Sequence, residues 1–209
     1  MRFAAIFAAI ALAAACTIPP DPESLNKPRI EQIQAAAFLA PQTELKVVDD
    51  GVTPLRDLVK EVALERRRAA DQLGITGEVE RWTTDDAPAV VSYYLTGPSP
   101  EVIRDFVGDR LPDDRDLAFG KTAPDRWRTY VVLPEAALDN ADIATANELG
   151  GDARTLEIVF TPEGAETLSD LTAEIVGQRL AVLVDGTVQS APIVQSRIDG
   201  GRAHVTLAP

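Results

Sequence analysis

Few residues in this chain have the types and spacing that catalysis or metal binding requires. The 209 residues include one cysteine, Cys16, and one histidine, His204. A hydrolytic triad needs a base beside its nucleophile, and a zinc centre needs several thiolate or imidazole ligands. His204 alternates with Ala203 and Val205, so a strand with those two side chains inward turns the imidazole toward solvent. We therefore predict no catalytic and no metal-ligating residue.

Three pairs of adjacent aspartates are the remaining candidates for acid–base chemistry. Asp49-Asp50, Asp85-Asp86 and Asp113-Asp114 each stand close to glycine or proline in predicted loops. No surrounding apolar segment indicates a pocket that would raise the pKa of a carboxyl, so we interpret them as solvated turn residues. The formal net charge of −13 disfavours nucleic acid as a partner. No glycine-rich phosphate-binding motif occurs, and we expect no cofactor.

The N-terminal residues have the pattern of an export signal that ends at the single cysteine. Arg2 precedes thirteen apolar residues at 3–15, whereas a bilayer-spanning helix needs about 20. Ala13-Ala14-Ala15 leads directly into Cys16, and this pattern resembles a bacterial lipobox, although leucine is the common residue at the position of Ala13. The resemblance implies a signal peptide at 1–15, removed before a lipidated Cys16 with a diacylglycerol thioether and an acylated amine, typically palmitate. A plain signal peptide with an incidental cysteine is the alternative.

The residues after Cys16 predict a tether in the cell envelope. Thr17 stands where an aspartate would retain an enterobacterial lipoprotein in the inner membrane, so the outer membrane is slightly favoured. Residues 16–43 contain five prolines, which favour an extended tether. Several acyl chains give far firmer anchoring than one. We expect a lipid-anchored protein on the periplasmic side.

The body contains three segments in which Ser or Thr is followed by proline. This pair is typical of a helix start, because the hydroxyl accepts from free N–H groups and proline suits the first helical position. Apolar residues at helical spacing follow each start, and glycine follows the first and third segments. We predict helices at 53–73, 99–111 and 161–175, and a short helical stretch at 140–148.

Apolar and β-branched runs predict the strands between these helices. They lie at 44–49, 78–84, 89–97, 127–134, 155–161 and 202–208, with two more between 179 and 195 about a tight turn at Asp185-Gly186. The first six elements follow the order β-α-β-β-α-β of a ferredoxin-like, split βαβ unit. We predict an α+β fold, with a ferredoxin-like base at 44–126 and a small α/β head with a mixed or antiparallel sheet at 127–209.

The stretch 156–201 carries a dense pattern of glycine, proline and small residues. It resembles the head subdomain of the first periplasmic domain of the protein-export factor SecD. A weaker likeness at 65–81, 89–97 and 133–146 extends toward the base of that domain. The matching residues are Gly164, Ala165, Thr172, Gly177, Leu180, Ala181, Asp185, Gly186, Ser190, Ala191, Pro192, Gly200 and Gly201.

The resemblance implies a part in protein translocation. In SecD this domain lies between transmembrane helices that couple a proton gradient to export, and its head is thought to meet the emerging chain. No internal apolar run here is long enough to replace those helices. We therefore expect a stand-alone, non-enzymatic lipoprotein that binds unfolded polypeptide or Sec translocon subunits. The alternative is an envelope structural or small-ligand-binding lipoprotein that reuses the head fold.

Three bends of the family pattern are the candidate binding residues. They are the Asp185-Gly186 hairpin, the Ser190-Ala191-Pro192 bend and the Gly200-Gly201 turn. Pro192 cannot donate to a ladder, so we expect it at a sheet edge or a bulge. A purely structural role for all three bends is the alternative, because glycine and proline there satisfy backbone needs.

Overall fold

The computed structural model describes residues 42–65, 68–84, 87–149 and 155–206. The predicted signal peptide, Cys16, Thr17 and nearly all of the tether lie outside the described residues, as does the pair Asp85-Asp86. Within the described part of the chain, no helix is both long and apolar enough to span a membrane.

The described residues form a mixed α+β fold that is mostly strands with few helices. In chain order the elements are β1 (Thr43–Val48), α1 (Thr53–Glu65), α2 (Arg68–Leu73), β2 (Thr76–Thr84), β3 (Ala87–Gly97), α3 (Pro100–Val107) with a 3₁₀ turn (Gly108–Arg110), β4 (Asp116–Ala123), β5 (Arg126–Val132), β6 (Ile143–Leu149), β7 (Thr155–Phe160), α4 (Pro162–Glu174), β8 (Arg179–Val184), β9 (Thr187–Ser190) and β10 (Arg202–Thr206). Ser99 and Thr161 cap α3 and α4, with hydroxyls that accept from the N–H groups of Val102 and Gly164.

Five strands of the larger sheet close into a small barrel. The sheet order is β1-β8-β9-β4-β5-β3-β2, and β1 also pairs with β5. Two backbone bonds join that closing pair, from Leu133 N to Val47 O at 3.1 Å and from Asp49 N to Val131 O at 2.9 Å. A barrel of few strands is filled by its own side chains. One buried cluster draws on all five strands and fills the interior: Val48, Ala118, Val132, Ala181, Leu183 and Val188.

A three-stranded sheet and α4 pack against one side of this barrel. The order of the sheet is β10-β7-β6, all antiparallel. Its inner face and α4 share one hydrophobic core with β1 and β8, which includes Leu45, Ile158, Leu168 and Val182. A second core lies under α1 and α3, where Leu58, Val59 and Ile103 pack against Leu95 of β3.

The ferredoxin-like arrangement is not confirmed. The β2–β3 hairpin lies where predicted, but the sequence analysis missed β4, which forms a second hairpin with β5. All pairings among β1, β2, β3, β4 and β5 are antiparallel. β4 pairs with one side of β5, while β3 and β1 pair with the two ends of its other side. The first strand also pairs along its whole length with β8 from the predicted head. The boundary between base and head at residue 126 stays a prediction.

The predicted helical stretch at 140–148 is wrong, because β6 occupies residues 143–149. Ala, Glu and Leu in this segment favour helix, but pairing with β7 decides the outcome. Of its side chains, Ile143 packs against the core, while Ala144, Thr145, Ala146, Asn147 and Leu149 are exposed. Backbone hydrogen bonds rather than burial therefore hold most of β6.

Candidate functional site

The Asp185-Gly186 hairpin has the predicted tight-turn geometry. Asp185 has φ 48° and Gly186 has φ 74°, the pair of positive values that suits the twist between β8 and β9. The turn also holds the chain that enters β1, because the Asp185 N–H donates to Gln42 O at 2.8 Å and the Gln42 N–H donates to Asp185 Oδ1 at 3.0 Å. Asp185 thus connects the entry of β1 to the tip of the hairpin.

The Ser190-Ala191-Pro192 bend returns the chain to the start of β8. The pairing of β8 with β9 shifts register between Val182 and Leu183. Pro192 then accepts from the Leu180 N–H through its carbonyl at 3.0 Å, a bond that needs no donor from proline. Pro192 lies two residues beyond the end of β9 and not at the register shift itself, where its expected place at a sheet edge or a bulge stays a prediction.

The Gly200-Gly201 turn contacts α4. Gly201 has φ 58°, and a Cβ atom placed on it would lie 2.9 Å from the Ala165 Cβ, whereas a Cβ on Gly200 would meet nothing within 4 Å. Of the two glycines, only Gly201 is therefore required by backbone geometry and space. The three bends contact different elements, namely the entry of β1, β8 and α4.

Polar side chains of α4 hold the loop between Pro192 and β10. The Ser169 hydroxyl donates to Asp199 Oδ1 at 2.7 Å, and Arg197 Nε donates to the same oxygen at 2.6 Å. The Thr172 hydroxyl accepts from the Ile198 N–H at 2.9 Å. The hydrogen bond from Ser169, followed by that from Arg197, lowers the pKa of the Asp199 carboxyl. Thr172, one of the residues in the pattern that resembles the SecD head, therefore helps to hold this loop in place.

His204 lies on the exposed face of β10, as predicted. Its side chain is 61% exposed, with Nε2 3.4 Å from Glu157 Oε1. Among the residues that the structure describes, no group of three or more His, Cys, Asp and Glu side chains is placed to hold a metal ion.

The interpretation of Asp49-Asp50 as solvated turn residues is wrong. Asp49 accepts from Arg115 Nε at 2.8 Å, and Asp50 forms two hydrogen bonds with Arg179, at 2.8 Å to Nε and 2.5 Å to Nη2. The side chain of Arg179 is only 3% exposed and that of Asp50 is 15% exposed. The end of β1 lies beside β8 and β5 in the closed barrel, which brings both carboxylates to arginines remote in sequence.

The Arg179–Asp50 pair belongs to an alternating stack of cations and aromatic rings that the sequence analysis missed. From β3 to β2 the members are Tyr94, Arg128, Tyr130, Arg179 and Trp82. Guanidinium-to-ring distances are 3.7 and 4.7 Å for Arg128, and 5.4 and 5.0 Å for Arg179. We call these five residues the arginine–aromatic stack. It joins the β2–β3 hairpin to the barrel strands β5 and β8.

Acidic and hydroxyl groups supply part of the hydrogen bonding of the stack, while Arg128 Nε and Nη2 are buried without a hydrogen-bond partner among the described residues. Arg128 Nη1 donates to Glu80 at 2.9 Å, and Arg179 Nη2 also donates to Ser92 Oγ at 2.9 Å. Burial raises the pKa of the Tyr130 and Tyr94 phenols, so both remain neutral at physiological pH. The cavity beside Arg179 measures about 10 Å³, which leaves room for about one water molecule. The stack is therefore a packed connection between elements rather than a ligand pocket.

A local signal for this stack exists in the sequence. Arg179 is the first residue of the otherwise apolar strand β8. Arg128 and Tyr130 stand two residues apart in β5, which places them on the same face of that strand. Both patterns place a charged residue where a strand becomes buried, which requires a partner. The sequence does not identify that partner, because Asp50 lies 129 residues from Arg179.

Comparison with known proteins finds similarity to subunits of the protein translocase. Residues 117–208, from β4 onward, match the family model of the SecDF P1 head subdomain. The chain is 29% identical over 166 residues to the protein translocase subunit SecD of Acidaminococcus fermentans, which covers 78% of this chain and 34% of that relative. It is 43% identical over 70 residues to SecD of Elusimicrobium minutum, covering 32% of this chain and 14% of that relative.

A solved structure gives a further match. SecDF, described as a membrane component that enhances protein export, is 20% identical, with 91% of this chain and 64% of that chain covered and a TM-score of 0.39. The chain spans about a third of the length of the SecD subunits matched over most of its body. The family-model match and the SecD relatives together support a relationship of this chain to the SecD periplasmic domain family.

Proposed function

We propose that this chain is an envelope lipoprotein, anchored through Cys16, that binds polypeptide or a Sec translocon subunit during protein export. The observation that carries the proposal is the match of residues 117–208 to the SecDF P1 head subdomain. Binding of this kind needs no catalytic residue, so the proposal includes no reaction.

In this proposal the three bends shape the surface that meets the partner. Gly186 and Gly200 are exposed, while Gly201 is buried against α4. The exposed tips border the binding surface, and the buried positions keep the head-like part at 127–209 in its folded form. The base-like part at 44–126 supports it through the β1–β8 pairing and the arginine–aromatic stack.

Crosslinking in cells tests the export role. A photo-crosslinking residue replaces half-buried Gln189 beside Ser190, and a control carries it at exposed Asp57 of α1, in the base-like part. We expect translocon subunits or nascent envelope proteins to be captured from the first position and not from the second. Capture of only cell-wall or outer-membrane neighbours contradicts the export role and favours a structural or ligand-binding lipoprotein.

Metabolic labelling tests the anchor separately. Wild-type protein should incorporate labelled palmitate and sediment with membranes, because acyl chains on Cys16 insert into the bilayer. Cys16→Ser should lose both the label and the membrane association. An unlabelled, freely soluble wild-type protein would contradict the lipid anchor and leave the export role to the crosslinking experiment.

A further inference from the structure

Strand β6 forms an edge of the three-stranded sheet. It pairs with β7 on one side, and no described strand pairs with its other side. The Phe160 N–H donates to Gly201 O next to β10, so Val159 and Glu157 direct their backbone groups toward β6. Their partners Thr145 and Asn147 then bond to β7. The backbone N–H and C=O groups of Ala146 and Glu148 consequently point away from the sheet.

β6 carries little of the protection that edge strands usually have. Natural edges are blocked by lysine, proline, several charges or a β-bulge. The strand IATANEL has one charged residue, Glu148, and its register shift with β7 lies between Ile143 and Thr145, before the outward-facing Ala146 and Glu148. The other edges are better protected, because β2 includes Glu78, Glu80 and Arg81, and β10 begins with Arg202. Among the sheet edges of the described residues, the edge of β6 from Thr145 to Leu149 is therefore the least protected.

The charges around β6 indicate the chemistry of an added strand. Residues 139–149 include Asp139, Asp142 and Glu148 but no lysine or arginine. Glu157 on the neighbouring β7 is paired with Arg202 of β10 at 3.3 Å, so the negative charge near β6 comes from the residues of this segment itself. This surface attracts segments with basic residues and repels acidic ones.

We propose that β6 binds an extended, lysine- or arginine-containing polypeptide segment as an additional strand. The inference rests on the proposed function and names the site and mode of polypeptide binding. Strand addition draws its affinity from main-chain hydrogen bonds, so one edge accepts segments of many sequences. The acidic neighbourhood then sets a preference for basic segments.

Binding of a labelled peptide to the full chain tests the proposal. The probe is a fluorescein-labelled peptide of alternating valine and threonine with two lysines, and a second peptide carries glutamate in place of lysine. Ala146→Pro removes an outward N–H of β6 without removing a bond to β7. His204→Pro is the matched control, since pairing of Ala203 and Val205 with β7 leaves the His204 N–H on the outer edge of β10.

We expect Ala146→Pro to weaken binding of the lysine peptide about tenfold, with less than a twofold effect of His204→Pro. The glutamate peptide should bind more weakly than the lysine peptide to the wild type. Equal affinity of Ala146→Pro and wild type overturns the β6 site but leaves polypeptide binding intact. Failure of the wild type to bind either peptide overturns polypeptide binding itself.

Peptide variants give the same test without any change in the protein. Two versions of the lysine peptide carry N-methyl groups on every second amide. In one version the methyl groups replace the N–H donors that face β6, and in the other they replace the N–H groups that face solvent. Loss of binding with only one of the two sets supports strand addition. Equal binding of both methylated peptides overturns it.

Discussion

At the scale of single residues, the adjacent glycines Gly200 and Gly201 differ in how well their positions would tolerate a side chain. Both belong to the family pattern, but only Gly201 combines a φ of 58° with close approach to Ala165. The sequence predicted the turn from the glycine pair. It did not show which glycine is needed, because that depends on the position of α4.

Gly201→Ala should lower the free energy of unfolding by about 1–3 kcal/mol, because alanine is strained at this φ and its methyl meets Ala165. Gly200→Ala should change it by about 0.5 kcal/mol or less, since its Cβ would enter open space. Urea unfolding of the two variants provides the measurement. Equal losses would contradict the assigned geometry.

Asp199 should make stability depend on acid pH. Its folded-state pKa lies below the ordinary value of 3.8, so its stabilising contribution is present above that value and is lost as the pH falls through the folded-state pKa. The difference in Tm between wild type and Asp199→Asn should therefore shrink as the pH is lowered below about 4. A difference that stays constant down to pH values of about 2 would show that Asp199 does not titrate as described.

At the scale of elements, the sequence predicted most strands and helices and failed where pairing decides the structure. The Ser-Pro and Thr-Pro pairs in the sequence predicted the starts of α1, α3 and α4. Runs of apolar and β-branched residues predicted β2, β3, β7 and β8. The sequence did not predict β6, because its exposed side chains show no alternation of apolar and polar residues. Only its register with β7 makes it a strand.

Hydrogen exchange should separate weakly and strongly held strands. The amides of Ala146 and Glu148 face away from β7, whereas β8 is flanked by β1 and β9 along buried side chains. We expect exchange at Ala146 and Glu148 to be at least about 100-fold faster than at Ala181 and Leu183. NMR under native conditions measures both sets, and similar protection of both would place a further strand on the β6 edge.

At the scale of the whole molecule, three cores and one polar stack join the elements. The apolar cores follow from patterns visible in the sequence. The barrel closure by β1 and β5 and the arginine–aromatic stack do not, since they join segments far apart in the chain. The three candidate bends could be predicted from the sequence. The acidic edge of β6 could be recognised only from the order of the strands in the sheet.

Arg179→Ala should destabilise the fold by about 3–5 kcal/mol, because it leaves the largely buried Asp50 without its partner. Arg202→Ala is the control: its side chain is 64% exposed and pairs with Glu157 at 3.3 Å, so its loss should cost less than about 1 kcal/mol. Chemical denaturation measures both. A small effect at Arg179 would mean that the hairpin and the barrel are joined without the stack.

The pairing of β1 with β8 has a consequence for how the chain matures. β1, the first of the described strands in chain order, obtains its longest pairing only from residues 179–184. Contacts this distant in sequence are reached late and slow the folding reaction. The barrel therefore cannot close until residues 179–184 are available to pair with β1, so that fragments of the chain that end before β8 leave β1 without its main partner.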